Sequence, residues 1–222
     1  MTTAAPLLQL RSVSKTYQSA TGSDIVLEDV DLTIGAGQKV SLMGTSGSGK
    51  STLLSLIAGL LRPDAGTVEI DGVLLAGLDD GERAALRSGR IGIALQSENL
   101  IPFLSATENV ELALGFGRRR KNRERARELL DRMGVVHRRD HLPRQLSGGE
   151  AQRVALAVAV ANEPALLLAD EMVSALDSVT ASSVVDDVFA SEMAVLFVTH
   201  VVTLADRAER RLCLRAHRLV SR

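Results

Sequence analysis

The sequence predicts an α/β fold in which a mostly parallel sheet carries an N-terminal antiparallel β-subdomain and an inserted α-helical subdomain. Four continuous apolar runs along the chain are typical of strands buried on both faces of a parallel sheet. Near the N-terminus, apolar and polar residues alternate, which favours antiparallel strands with one solvated face. In the middle of the chain the apolar residues recur at helical spacing.

The antiparallel lobe is predicted from four short segments, residues 7–13, 25–34, 67–70 and 73–75. The last two flank Asp71-Gly72, which is a strong signal for a two-residue hairpin turn. We therefore assign approximately residues 1–37 and 64–78 to this lobe.

The four apolar runs are residues 40–43, 91–95, 165–169 and 195–198. Each ends on polar or glycine residues, which are Gly44, Gln96, Asp170-Glu171 and Thr199-His200. In an open parallel sheet, ligands bind at the carboxyl ends of the strands. We therefore expect the four strand ends to converge on one site.

The first run enters a phosphate-binding loop that consists of Gly44, Thr45, Ser46, Gly47, Ser48, Gly49, Lys50, Ser51 and Thr52. Its glycines allow backbone N–H groups to point at phosphate, and the following helix adds the positive end of its dipole. Lys50 would reach the β- and γ-phosphates, and the Ser51 hydroxyl would hold Mg²⁺. The alternative, a tight turn with an exposed lysine, rarely places Lys-Ser at this offset between a strand and a helix. The loop therefore predicts a nucleoside triphosphate ligand.

The helical subdomain is predicted over residues 97–162. Ala126, Leu129, Leu130 and Met133 form one apolar helix face. The later run from Val154 to Ala161 is apolar all round and is expected to form a buried helix.

Before that helix lies Leu146-Ser147-Gly148-Gly149-Glu150. Ser147 and Glu150 fit a capping box, so one interpretation is simply a well-capped helix start. The paired Gly148 and Gly149 support a second interpretation, a phosphate site. Because they have no side chains, the positively polarised N-terminus of the helix stays accessible to phosphate.

Composition narrows the classes of function. Lys and Arg total 26 against 27 Asp and Glu, so no basic field indicates a nucleic-acid partner. Cys213 is the only cysteine, which excludes an intrachain disulfide. No apolar run is long enough to cross a bilayer. We expect a cytosolic polypeptide, and any association with a membrane must come through a partner.

In the order and spacing of these motifs, the chain resembles the nucleotide-binding subunit of an ATP-binding cassette (ABC) transporter over nearly its whole length. The matching positions are Tyr17, the 44–52 loop, Gln96, the 146–150 signature, Asp170-Glu171, residues 174–177 and His200. Tyr17, expected in a loop, is open to two interpretations, packing or stacking on adenine. The resemblance implies one ATPase domain over 1–222, with a RecA-like core in 38–63, 88–96 and 163–222.

The family implies a head-to-tail dimer, in which each ATP lies between the phosphate loop of one copy and Ser147-Gly148-Gly149 of the other. Glu171 would polarise the attacking water, His200 would contact the γ-phosphate, and Lys50 and Gln96 would complete the catalytic set. Mg²⁺ would be held by Ser51, Gln96 and Asp170. The resemblance adds Glu150 and Asp177 to the nucleotide contacts.

Within the family, Leu100-Ile101-Pro102 and the 107–110 segment are most similar to ATPases that serve four-helix permeases with large ectodomains, of the macrolide/lipoprotein-exporter type. Such subunits drive export or mechanotransmission. The chain departs from the family pattern at Met172-Val173, Val158, Val201 and residues 215–218, none of which removes a group that handles phosphate, metal or water. A soluble ABC-type ATPase of DNA repair or translation remains the alternative, and a phosphate-loop kinase would leave the 146–150 signature without a role.

Overall fold

A computed structural model describes residues 5–19, 22–95, 100–117, 122–171, 173, 175–176 and 178–221. The strands in these ranges are β1 Leu8–Ser19, β2 Gly22–Ile34, β3 Lys39–Met43, β4 Ala65–Ile70, β5 Val73–Leu74, β6 Ile91–Leu95, β7 Leu166–Asp170, β8 Ala194–Val198, β9 Arg210–Arg215 and β10 Arg218–Ser221. The α-helices are α1 Lys50–Ile57, α2 Asp80–Arg90, α3 Ala106–Phe116, α4 Arg123–Arg132, α5 Gly148–Val160, α6 Ser178–Ala190 and α7 Val202–Ala205. The predicted α/β fold class is confirmed.

The chain divides into two compact units, one of Met1–Ala84 with Ala194–Arg222 and the other of Ala85–Met193. The first unit contains the antiparallel sheet, in strand order β2-β1-β4-β5. The inward side chains Leu8, Leu10 and Val13 of β1 are buried, as expected for strands with one face against a core. β4 and β5 pair antiparallel across the predicted Asp71-Gly72 turn.

The first unit also contains four strands of the parallel sheet, with β3 between β8 and β9. β3 pairs parallel with both neighbours, so that Leu42 lies opposite Val198 on one side and Leu212 on the other. β10 returns antiparallel to β9. All five residues of β8 are buried, which explains why this strand is a continuous apolar run.

The second unit contains the parallel pair β6 and β7, with Leu95 opposite Asp170, together with helices α3 to α6. α4 buries Ala126, Leu129 and Leu130, as its helical spacing predicts. α5 packs closely on β6, since a Cβ added at Gly92 would lie 2.5 Å from the Ala159 carbonyl oxygen. Among the described residues, the helices are all too short or too polar to span a membrane.

The expectation that Tyr17 lies in a loop was wrong. β1 continues to Ser19 and pairs with β2, so Tyr17 is a strand residue opposite Asp24. The pairing passes several register shifts after Leu10, which interrupt the alternation that a sequence pattern depends on. Its side chain is 40% exposed.

Candidate functional site

The phosphate loop connects β3 to α1 in the first unit, as predicted. Gly49 is the N-cap of α1 and has a φ of 101°, a left-handed conformation that side-chain-bearing residues rarely adopt. A Cβ at Gly49 would also lie 2.9 Å from the Val26 carbonyl oxygen, and one at Gly44 would lie 2.8 Å from that of Leu214. Glycine is therefore required at both positions by space as well as by conformation.

The helix that follows has the features of an anion site. Among the described residues no side chain caps the start of α1, and its first turn contains no acidic residue, so the dipole at this end is not compensated by them. The Ser48 hydroxyl is buried and has no hydrogen-bond partner in the part of the chain that the structure describes. Thr45, Ser46 and Gly47 are exposed. The loop thus fits a polyphosphate through its backbone N–H groups and one unsatisfied hydroxyl.

Lys50 is the first residue of α1 and is largely buried. Its ammonium donates to the carbonyl oxygens of Gly44 and Thr45, at 3.0 and 2.8 Å. These bonds hold the cation inside the curl of the loop. Its contact with the phosphates stays a prediction.

The parallel register of β3 and β8 places His200 at the same sheet edge as the phosphate loop. Leu42 pairs with Val198, and the Thr199 amide donates to the Leu42 carbonyl oxygen at 3.3 Å. The next residues, Gly44 after β3 and His200 after β8, therefore leave the sheet side by side. His200 is exposed.

Tyr17 lies at the end of β1 farthest from the N-terminus. The ammonium of Lys15 lies 5.7 Å from the centroid of its ring, and the same ammonium bonds to Asp64 at 2.8 Å. The ring thus has a cation near it and a large exposed fraction, which is compatible with stacking on a base. Its contact with adenine stays a prediction.

In the second unit, β7 covers Leu166–Asp170, one residue later at each end than the predicted run, and Glu171 follows it. Glu171 has a φ of 52°, which is unusual for a residue other than glycine. Its carbonyl oxygen accepts a hydrogen bond from the Gln152 side-chain amide. Gln152 in turn accepts from the Ala175 amide at 3.1 Å. Helix α5 thus holds the segment that follows β7 at two points.

The signature segment forms the start of α5. Ser147 is the N-cap, its hydroxyl accepts from the Glu150 amide at 3.2 Å, and the Glu150 carboxylate accepts from the Ser147 amide at 2.8 Å. The predicted capping box is therefore present, while Ser147 and Gly148 remain exposed. The two interpretations of the segment, a capped helix start and a phosphate site, are therefore compatible. The hydrogen bonds of the cap join Ser147 and Glu150 and leave Ser147 and Gly148 exposed.

Glu150 has further partners on the turn before the signature. Arg138 Nε donates to Glu150 Oε1 at 2.8 Å, and His137 Nε2 lies 3.5 Å from the same oxygen. The hydrogen bond from the Ser147 amide, followed by that from Arg138, lowers the pKa of Glu150 to about 2. The carboxylate is ionised at neutral pH and both of its oxygens are engaged.

Gly149 is required by packing within the chain. A Cβ at Gly149 would lie 2.7 Å from the Ala175 carbonyl oxygen, whereas one at Gly148 would lie 3.6 Å from the Ala175 Cβ. Glycine at 149 therefore makes room for Ala175, whereas a Cβ at 148 would make an ordinary van der Waals contact with the described residues.

Two predicted site residues, Gln96 and Asp177, lie outside the described residues. No three His, Cys, Asp or Glu side chains in the described ranges cluster as a metal site. Mg²⁺ that arrives with a nucleotide needs only one or two protein oxygens, because phosphates and waters supply the remainder. The Ser51 hydroxyl and the Asp170 carboxylate are donors of that type.

Sequence reasoning missed Arg138 and Gln152. Each acts on a residue far along the chain, 12 residues away for Arg138 and 19 for Gln152, and no periodicity or motif spacing relates such positions. The capping box at 147–150 was the only local signal near either contact.

Comparisons with known proteins agree with this arrangement. The family model for "ABC transporter" matches residues 27–174. The chain is 40% identical over 220 residues to an uncharacterized ABC transporter ATP-binding protein of Bacillus subtilis, YknY, and the match covers 96% of this chain and 95% of the relative. It is 42% identical over 222 residues to the lipoprotein-releasing system ATP-binding protein LolD of Bordetella pertussis, with the same coverage.

A solved structure matches over the whole fold. The ATP-binding cassette MJ0796, in a dimeric post-hydrolysis state bound to ADP and phosphate, superimposes with a TM-score of 0.93 at 39% sequence identity, covering 97% of each chain. The fold of this chain is therefore that of an ATP-binding cassette. The chain therefore belongs to the ABC transporter ATP-binding family and is an ATPase.

Proposed function

We propose that this chain is the ATP-hydrolysing subunit of an ABC transporter, that it dimerises head to tail around two Mg-ATP, and that it drives a separate membrane permease in export or mechanotransmission. The observation that carries the proposal is the presence of two different helix starts suited to phosphate in one chain. One is α1 behind the phosphate loop, and the other is α5 behind Ser147. A nucleotide bound by one copy needs only the first of them, so the second is available to the ATP of another copy.

In this proposal Lys50 and the first-turn amides of α1 bind the β- and γ-phosphates. Ser51, Asp170 and Gln96 hold Mg²⁺, which supplies charge neutralisation at the phosphates. Glu171 orients and polarises the attacking water, and His200 contacts the γ-phosphate. Tyr17 stacks on adenine, and Ser147, Gly148, Gly149, Glu150 and Asp177 of the second copy complete the nucleotide contacts.

The dimeric cassette with ADP and phosphate supports this assembly. The name of the Bordetella relative, an ATP-binding protein of a lipoprotein-releasing system, supports the choice of a membrane permease as partner. We infer a four-helix permease with a large ectodomain, and a location for this chain that is peripheral on the inner face of the cell membrane. Nucleic acid is not expected as a partner.

The dimer is tested with Glu171→Gln, which removes the general base and leaves the phosphate loop intact. We expect this variant to bind ATP, to hydrolyse it at well under a hundredth of the parent rate, and to become a dimer with ATP in analytical ultracentrifugation. Adding Ser147→Arg should spare ATP binding by the monomer and abolish the dimer. Hydrolysis by Glu171→Gln at the parent rate would refute the general-base assignment, and a dimer that survives Ser147→Arg would refute the head-to-tail model.

The permease is tested by isolating the tagged chain from detergent-solubilised membranes. We expect a stoichiometric integral membrane protein that changes the ATPase rate when both are reconstituted in vesicles. Recovery with ribosomes or DNA instead would support the alternative of a soluble ABC-type ATPase in translation or repair.

A further inference from the structure

The start of α5 carries a full negative charge at the point where a phosphate is expected to arrive. The capping box holds the Glu150 carboxylate 2.8 Å from the Ser147 amide nitrogen. A carboxylate in the first turn stabilises the helix through its dipole. Without a cation beside it, this carboxylate would repel an approaching polyphosphate, and the repulsion is strong where water is partly excluded. An uncompensated Glu150 would therefore weaken the anion site that the helix start provides.

Arg138 supplies the compensating charge. Its Nε donates to Glu150 Oε1 at 2.8 Å, while the other carboxylate oxygen accepts from Ser147. The Glu150 side chain is 13% exposed and that of Arg138 is 39% exposed, so the ion pair is partly open to solvent and is screened least at the carboxylate. The neighbouring His137 lies 3.5 Å from the same oxygen but is mostly exposed.

The backbone around Arg138 is fixed independently of Glu150. The Arg138 amide donates to the Val135 carbonyl oxygen, and the Arg138 carbonyl oxygen accepts from the His141 amide, both at 2.9 Å. The start of α3 holds the same turn, because the amide and the hydroxyl of Thr107 both donate to the Arg139 carbonyl oxygen at 2.9 Å. Arg138 therefore reaches Glu150 from a turn that does not need the ion pair to form.

We propose that Arg138 is a positioning residue for the signature helix: it neutralises Glu150 and holds the carboxylate in the capping box, so that the start of α5 accepts the γ-phosphate of an ATP bound to a second copy of the chain. This inference rests on the proposed head-to-tail dimer. Arg138 acts through Glu150 and does not itself touch the nucleotide.

The test compares Arg138→Ala in two backgrounds, both with Glu171→Gln to prevent hydrolysis. With Glu150 present, the loss of Arg138 leaves an unpaired carboxylate, and we expect ATP-driven dimerisation to weaken at least about tenfold. With Glu150→Gln, the amide can still cap Ser147 without a charge, and Arg138→Ala should then change dimerisation by less than about twofold. Raising the salt concentration should partly restore the dimer of Arg138→Ala, since the cause is a repulsion.

Arg139→Ala is the matched control, because it removes an exposed arginine from the same turn, whose ion-pair partner among the described residues is Asp140 at 3.2 Å. It should dimerise like the Glu171→Gln parent. Arg138→Ala and Arg139→Ala should each leave the ATP affinity of the monomer, measured by equilibrium binding, as it is in the Glu171→Gln parent, since the phosphate loop is untouched.

Three results separate the possible failures. The positioning role of Arg138 is refuted if Arg138→Ala dimerises like its parent, or if it weakens dimerisation equally with and without Glu150→Gln. Neither result would contradict the head-to-tail dimer. If the Glu171→Gln parent forms no ATP-dependent dimer, the proposed function fails and this inference falls with it. A purely structural role for Arg138 would lower the unfolding temperature in both backgrounds and would show no salt dependence of the dimer.

Discussion

The side-chain amide of Gln152 donates to the carbonyl oxygen of Glu171, 19 residues further along the chain. Its oxygen accepts from the Ala175 amide at 3.1 Å. Gln152, in α5, thus contacts two backbone groups of the segment that begins with Glu171, the proposed general base. Glu171 itself has a left-handed φ of 52°. A conformation of this kind costs about 1–3 kcal/mol and persists only where surrounding contacts hold it.

We therefore expect Gln152→Ala to lower the turnover number about tenfold or more, because Glu171 would no longer be held in position for the attacking water. The affinity of the monomer for ATP should stay within about twofold, since the phosphate loop is unaffected. Steady-state kinetics with a separate binding titration measure the two quantities. A variant that loses affinity and keeps its turnover number would contradict this role.

The two signature glycines should respond differently to alanine. At Gly149 a Cβ would lie 2.7 Å from a backbone oxygen of Ala175, whereas at Gly148 the nearest contact is an ordinary 3.6 Å. Overpacking against backbone costs typically about 1–3 kcal/mol, so Gly149→Ala should lower the free energy of unfolding by that order. Gly148→Ala should change it by less than about 0.5 kcal/mol. Urea unfolding measures both free energies. Equal effects of the two substitutions would show that the close approach of Ala175 is not the reason for glycine at position 149.

Lys50→Ala should weaken ATP binding by at least about tenfold, because a charge-assisted hydrogen bond to phosphate contributes about 1.5–3 kcal/mol. The substitution also removes the bonds to the Gly44 and Thr45 carbonyl oxygens, so the empty loop itself should loosen. Equilibrium binding of a fluorescent ATP analogue tests the first effect, and hydrogen exchange at the loop tests the second. Parent-like affinity would exclude Lys50 from the phosphate contacts.

Stability in acid should depend on Glu150. Its pKa is lowered from 4.5 to about 2, so the folded state favours the carboxylate more than the unfolded state does. The resulting stabilisation is complete above about pH 4.5 and is lost as the pH falls towards 2.

Glu150→Gln should remove this part of the pH dependence, so that its stability changes less than that of the parent between pH 4.5 and 2. Glu192→Gln, which removes an exposed carboxylate after α6, is measured alongside as the control for the loss of one negative charge. Thermal unfolding across this pH range measures the difference. If the unfolding temperatures of the parent and of Glu150→Gln fall in parallel between pH 4.5 and 2, Glu150 is not the cause of the loss of stability in acid.

Much of the fold could be predicted because its signals are local. The runs at 40–43, 91–95 and 195–198 became β3, β6 and β8 with at most one residue of change at an end, since a strand buried on both faces must be continuously apolar. The capping box of Ser147 and Glu150 formed as expected because both partners lie within one helical turn.

The sequence by itself thus determined the strand and helix segments, the phosphate loop with its lysine, and the capped start of the signature helix. Only the tertiary structure decided that Tyr17 lies in a strand, that Arg138 neutralises Glu150, that Gln152 holds Glu171, and that Gly149 makes room for Ala175. Periodicity and capping depend on residues within a few positions of each other. These four relationships depend on which distant segments pack together, and packing is a property of the whole folded chain.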